Sequence, residues 1–140
     1  MSQLAKGKIK SGGFFGPSEW VIYEFKYERP TTEGEVKSIN MYKDKEGDPL
    51  GKLEYAKNGS SVKLNVFNIL DWSSNKYGIA LLDKFIKMMR KEKAAKIEHE
   101  MYDTDDKTHH KLTLFKEFGF YVESRGNITG YSQYYLTLNL

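Results

Sequence analysis

Apolar and polar residues alternate with a period of two over most of the first half of the chain. Val21, Tyr23, Phe25 and Tyr27 share one side, with Glu24 and Lys26 between them, and Pro30 closes the run. Val36 to Tyr42 reads as a second strand, and Asp44 to Pro49 as a turn. Leu53 and Tyr55 alternate with Lys52 and Glu54 as far as Asn58–Gly59, a hairpin signal. Val62, Leu64 and Val66 then alternate with Lys63 and Asn65, in a strand expected from Val62 to Ile69. Such alternation predicts an antiparallel meander with one face on a core and the other open to solvent. A strand covered on both faces would read as an unbroken apolar run instead.

The period changes after Trp72. Ser73, Ser74 and Asn75 supply helix-capping chemistry, and Leu81, Leu82, Phe85, Ile86 and Met89 follow at helical spacing, predicting a helix from about Tyr77 to Lys93. A strand is expected over Lys96 to Tyr102. A second helix, capped by Asp103 to Asp106, should run from Lys107 to Phe118 and end at Gly119. Phe120 to Ser124, a turn at Gly126 to Gly130 and Gln133 to Leu140 complete the chain. The expected fold is α+β, a single mixed, mostly antiparallel sheet in the order β-β-β-β-α-β-α-β-β. No repeat or low-complexity segment interrupts it.

A chain of 140 residues suits one domain, 1–140, with 1–18 as an N-terminal arm in which Phe14, Phe15, Gly16 and Pro17 form a cover. The absence of cysteine excludes disulfide scaffolds, thiol nucleophiles and Cys-type metal sites. Lys6, Lys8 and Lys10 break any signal-peptide core, and no apolar run reaches the ~18 residues of a membrane span, so a soluble cytoplasmic protein is expected. His109 and His110 are adjacent and diverge by about 100° on a helix, so no metal site is expected from them. A net charge of +3 does not by itself indicate nucleic acid. Lys76 to Lys96 nonetheless holds seven basic and two acidic residues, a solvated face or a contact for an anionic partner. Contact with single-stranded nucleic acid through that face and exposed aromatics is the weaker alternative.

The most informative stretch joins the fourth expected strand to the first helix: Asn75, Lys76, Tyr77, Gly78, Ile79, Ala80. A helix N-terminus offers unpaired backbone N–H groups and the positive end of the helix dipole, and small residues let an anion approach. Here the chain resembles the GNAT superfamily of N-acetyltransferases. Their pyrophosphate-binding motif is Q/R-x-x-G-x-G/A, and Asn75 to Ala80 matches at Gly78 and Ala80. Leu114-Phe115-Lys116-Glu117-Phe118-Gly119-Phe120 is similar to the family's L-Y-x-x-x-G-F signature on the last helix. The resemblance covers roughly Val36 to Leu140.

The resemblance implies an acyl-coenzyme A binder and transferase. It carries acetyl-CoA as the donor substrate, an amine of unknown identity as acceptor, and no metal. The pantetheine arm would fill a gap between the strand over Val62 to Ile69 and that over Lys96 to Tyr102. Phe67 and Ile69 would belong to the coenzyme site, the Val66 to Ile69 amides holding the oxyanion, and the amides around Lys76 to Ala80 would take the pyrophosphate. Glu98 and Glu100, on one side of their strand, are the candidate general bases. Three departures stand out. Phe115 replaces the family's proton-donating tyrosine, for which Tyr121, Tyr131, Tyr134 and Tyr135 are alternatives. Thr108 falls where the family has asparagine. Only Thr31 to Glu35 joins the first two expected strands, in place of two helices. A GNAT-like binding or regulatory module without catalysis therefore stays open, as does a homodimer.

Overall fold

Alternation becomes strand wherever it is regular. The computed structural model describes residues 2–10, 18–32, 34–43, 47–70, 72, 75–103, 107–128 and 131–140. Its elements are β1 (Ser2–Lys10), β2 (Ser18–Thr31), β3 (Gly34–Tyr42), β4 (Gly51–Asn58), β5 (Ser61–Ile69), α1 (Lys76–Lys91), β6 (Lys96–Tyr102), α2 (Thr108–Glu117), β7 (Tyr121–Ile128) and β8 (Tyr131–Asn139). The strands form one mixed sheet in the order β1-β2-β3-β4-β5-β6-β8-β7. Neighbours are antiparallel except β5 and β6, which run parallel because α1 crosses between them. Phe14 to Pro17, Asp44 to Glu46, Ser73, Ser74, Asp105, Asp106 and Gly130 lie outside the described residues.

Two differences from the expected order have simple causes. β1 lies within the expected arm and pairs with β2 from Ser2↔Lys26 to Lys10↔Ser18, so five strands precede α1 rather than four. Of its core-facing positions Ala5, Gly7 and Ile9, only Ile9 is large, so no apolar stripe registers, and Gly7 leaves room for the Tyr23 ring. Lys6 and Lys8 point outward on this edge strand, where charge discourages further strand pairing. Pro30 is carried within β2 rather than closing it. β1 reaches only Lys26, so Pro30 lies where that edge of β2 needs no N–H.

Both helices pack on one face of the sheet. Leu81, Leu82, Phe85, Ile86 and Met89 of α1 are buried against it, with the Phe85 ring 5.1 Å from Tyr55. Phe115 of α2 is buried 5.3 Å from Phe67 and 5.2 Å from His99. The opposite face carries the rows Lys26–Ser38–Glu54–Val66 and Glu24–Asn40–Lys52–Asn68, and neither helix covers it. Thr31 and Gly34 close the β2–β3 hairpin, with the Thr31 hydroxyl donating to the Gly34 carbonyl at 2.7 Å, so no helix intervenes there. That uncovered face is the open one expected from alternation. Among the described residues, no helix is long and apolar enough to cross a membrane.

Candidate active site

β5 and β6 pair only from Ser61↔Lys96 to Leu64↔His99. Beyond that point β5 continues to Ile69 and β6 to Tyr102, each held by its other neighbour, and the two strands diverge. The cause lies partly in a bulge. Against β4 the register shifts between Glu54↔Val66 and Tyr55↔Leu64, leaving Asn65 as the extra residue directly after the last pair. A bulge bends its strand and increases local twist. The result is a fork whose apex is Leu64 and His99.

The fork encloses a cavity of about 290 Å³, lined by Asn65–Asn68 of β5, His99–Tyr102 of β6, and Thr108 and Lys111 of α2. A second cavity of about 310 Å³ opens beside the apex over the uncovered face, against Ala56, Asn58, Lys63, Glu98 and Tyr135. His99 and Glu100 line both. Phe115 forms the floor beneath the fork, buried among Phe67, His99 and Phe120, where it has no hydroxyl to offer. Thr108 is buried, and its hydroxyl donates to the Tyr102 carbonyl at 3.3 Å.

The titratable groups at the apex differ in character. The Lys96 ammonium, 2.7 Å from Glu98, and then the Tyr135 hydroxyl hold the Glu98 carboxyl below the ordinary range. Glu100 is exposed on the same side of β6. His99 points the other way, into the core. Its Nδ1 lies 2.7 Å from the Leu64 carbonyl oxygen, and burial presses its pKa down to about 4, Lys111 adding to that direction. A carbonyl only accepts, so Nδ1 carries the hydrogen and the neutral ring keeps its lone pair on Nε2.

The start of α1 is used differently from the expectation. Asn75 is the N-cap residue and makes no side-chain capping bond. The Lys76 ammonium lies 3.0 Å from Glu19 of β2, and the Tyr77 hydroxyl donates to the same carboxylate at 2.7 Å. Lys76, within the stretch expected to take the pyrophosphate, thus ties α1 to the sheet. A Cβ on Gly78 would lie 2.9 Å from Leu114 and 3.2 Å from the Trp72 ring, so its smallness serves helix packing. Ile79 is exposed, and Ala80 packs against the core. Neither cavity is lined by residues 75–80. Of the residues expected at the site, the fork therefore gathers Phe67 and Glu100, Glu98 lines only the cavity over the uncovered face, and Ile69 is buried at the end of β5.

Sequence reasoning passed over His99, Lys111 and Trp72. The signal for His99 was its place between Ile97 and Met101 on the core-facing side of β6. Trp72 stacks on His110 at 6.0 Å, and its indole N–H is buried without a hydrogen-bond partner among the described residues.

Solved structures share this fold. An acetyltransferase assigned to the GNAT family from Desulfovibrio desulfuricans aligns at TM-score 0.61 and 14% identity, over 74% of this chain and 69% of its own. The ribosomal-protein-S18-alanine N-acetyltransferase of Escherichia coli aligns at TM-score 0.61 and 14% identity, over 79% of this chain and 72% of its own. The chain has the GNAT fold. A Bacillus subtilis acetyltransferase solved in complex with CoA shares it at TM-score 0.56 and 17% identity, over 77% of this chain and 78% of its own. No protein-family profile and no curated protein matches the chain in sequence. In this chain β5 and β6 are the two strands that part, and the Leu114–Phe120 segment lies on and just after α2, against the gap.

Proposed function

We propose that the protein is an acyl-CoA-dependent N-acetyltransferase that moves an acetyl group from acetyl-CoA to an amine. The observation that carries this is the pair of cavities meeting at His99 and Glu100, one inside the fork and one over the open face. The fork suits a pantetheine arm, because two strand edges that have parted leave backbone N–H and C=O groups for its amides. Phe67 and Asn68 on one side and Glu100 to Tyr102 on the other would hold it. The N–H groups that start α1, at Asn75 to Gly78, would take the pyrophosphate, the helix ladder beginning where the Ile79 N–H donates to the Asn75 carbonyl at 2.9 Å. The acceptor would enter over the open face. Glu100 would remove its proton, directly or through water, leaving the amine lone pair to attack the thioester carbon. Backbone N–H groups of Val66 to Ile69 would hold the resulting oxyanion until the C–S bond breaks. With Phe115 at the α2 position, the departing thiolate takes its proton from solvent. A thiol of pKa about 8.5 leaves without prior protonation.

Glu98 suits a supporting role, since its pairing with Lys96 and Tyr135 stabilises the charged form and weakens it as a base. The same reading takes 1–140 as one domain and places it in the cytoplasm. Acetyl-CoA at about 100 times its Kd should stabilise the protein by about 2.7 kcal/mol. Thiol release on adding a panel of primary amines then identifies the acceptor class. Stabilisation without thiol release for any amine would favour the binding module, a reading that Phe115 motivates. An unchanged melting temperature would remove both.

A further inference from the structure

Nothing in the pattern of faces forbids the β5–β6 ladder from resuming beyond the bulge. Skipping Asn65 would set Val66 opposite Glu100, both on the outer face, and Phe67 opposite Met101, both on the core face. A closed fork is thus an available arrangement of the same strands, and it would abolish the 290 Å³ cavity. What stands at the point of closure is a side chain. Leu64 supplies the last registered carbonyl of β5, and the imidazole of its own partner, His99, donates to it at 2.7 Å on the core side. Phe115, 5.2 Å away on α2, holds the ring from beneath.

We infer that His99 is a positioning residue that stops the parallel ladder at Leu64 and keeps the fork open for the acyl-CoA arm. The inference rests on the proposed acyl-CoA site for its functional meaning, but the opening of the fork is measurable without any ligand. The Asn amide nitrogen is bonded to Cγ as His Nδ1 is, so His99→Asn keeps a donor at that place, whereas His99→Leu fills the core without one. Both lose the ring contact with Phe115, and a role in packing alone would be met better by Leu than by Asn, the reverse of the order expected here.

In the ligand-free protein, amides of residues 66–68 and 100–102 that point into the gap should exchange rapidly in wild type and His99→Asn. In His99→Leu they should become protected. The KM for acetyl-CoA should rise about ten-fold or more in His99→Leu with kcat little changed, as expected when the binding-competent state is a minor one. His99→Asn should stay within about three-fold of wild type, since its competent state remains the major one. Equal KM values in the Asn and Leu variants, or gap amides that still exchange freely in His99→Leu, would overturn the inference. Should His99→Leu fail to fold, protection of the gap amides in His99→Asn would overturn it equally. Failure of the acyl-CoA reading is separate: wild type itself would show no stabilisation by acetyl-CoA, while the exchange comparison would still decide what His99 does.

Discussion

Glu98 and Glu100 lie two residues apart on one outward side of β6, yet their surroundings differ. Glu98 is held 2.7 Å from Lys96, whereas Glu100 lies at the meeting of the two cavities. General-base catalysis contributes typically 10²–10⁴-fold, so Glu100→Gln should lower kcat by about 100-fold or more at neutral pH, measured by thiol release. Glu98→Gln should cost about ten-fold or less on the same scale. The reverse order would move the base to Glu98. His99 makes a different prediction. Its folded pKa of about 4 lies below the ordinary 6.5, so the native state binds fewer protons than the unfolded state between those values. Stability is therefore full above pH 6.5, falls as pH drops toward 4, and loses about 3 kcal/mol from this group. Lys111 from α2 acts in the same direction, while the depressed carboxyls of Glu19, Glu28 and Glu98 titrate below 4.5, under most of that window. Denaturant unfolding of wild type and His99→Asn from pH 7 to 4.5 should show the slope in wild type and its loss in the variant. At this scale the sequence showed which way Glu98, His99 and Glu100 face. It did not show that Leu64 would supply the acceptor for His99, or Glu19 the partner for Lys76, because both contacts join elements far apart in the sequence.

Elements followed local pattern where side chains were large and turns explicit. β6 coincides with the expected Lys96–Tyr102, and Gly59, in the left-handed region at φ 63°, makes the expected β4–β5 hairpin. Gly119, at φ 93°, ends α2 as expected. β1 escaped notice because Ile9 is the one large apolar residue on its core-facing side, Ala5 and Gly7 adding too little apolar surface to make a pattern. The bulge at Asn65 was equally silent, since a bulge is set by the partner strand as much as by its own residues. Just past the end of α1 stands Lys93 at φ 62°, a conformation that costs a residue with a Cβ about 1–2 kcal/mol. Lys93→Gly should relieve it and raise unfolding free energy by about 1 kcal/mol, offset in part by glycine's greater freedom in the unfolded chain. An unchanged or lowered denaturation midpoint would show that Lys93 contributes at that position in some other way.

At the scale of the molecule, α1 and α2 share one face and leave the other to charged and hydroxyl-bearing rows such as Lys26–Ser38–Glu54. Alternation announced that asymmetry, and the short Thr31–Glu35 connection explained it, because nothing long enough to form a covering helix intervenes. On the proposed function, an acceptor approaching this side would meet an open sheet rather than a pocket walled by helices. The central claim is that acyl-CoA occupies the fork. Backbone amide NMR during an acetyl-CoA titration tests it most directly. Saturable shifts should concentrate at residues 65–68, 76–80 and 99–102, with β1 and the outward side of β2 unmoved. Saturable binding that leaves the fork amides unshifted, or no binding at all, would contradict it.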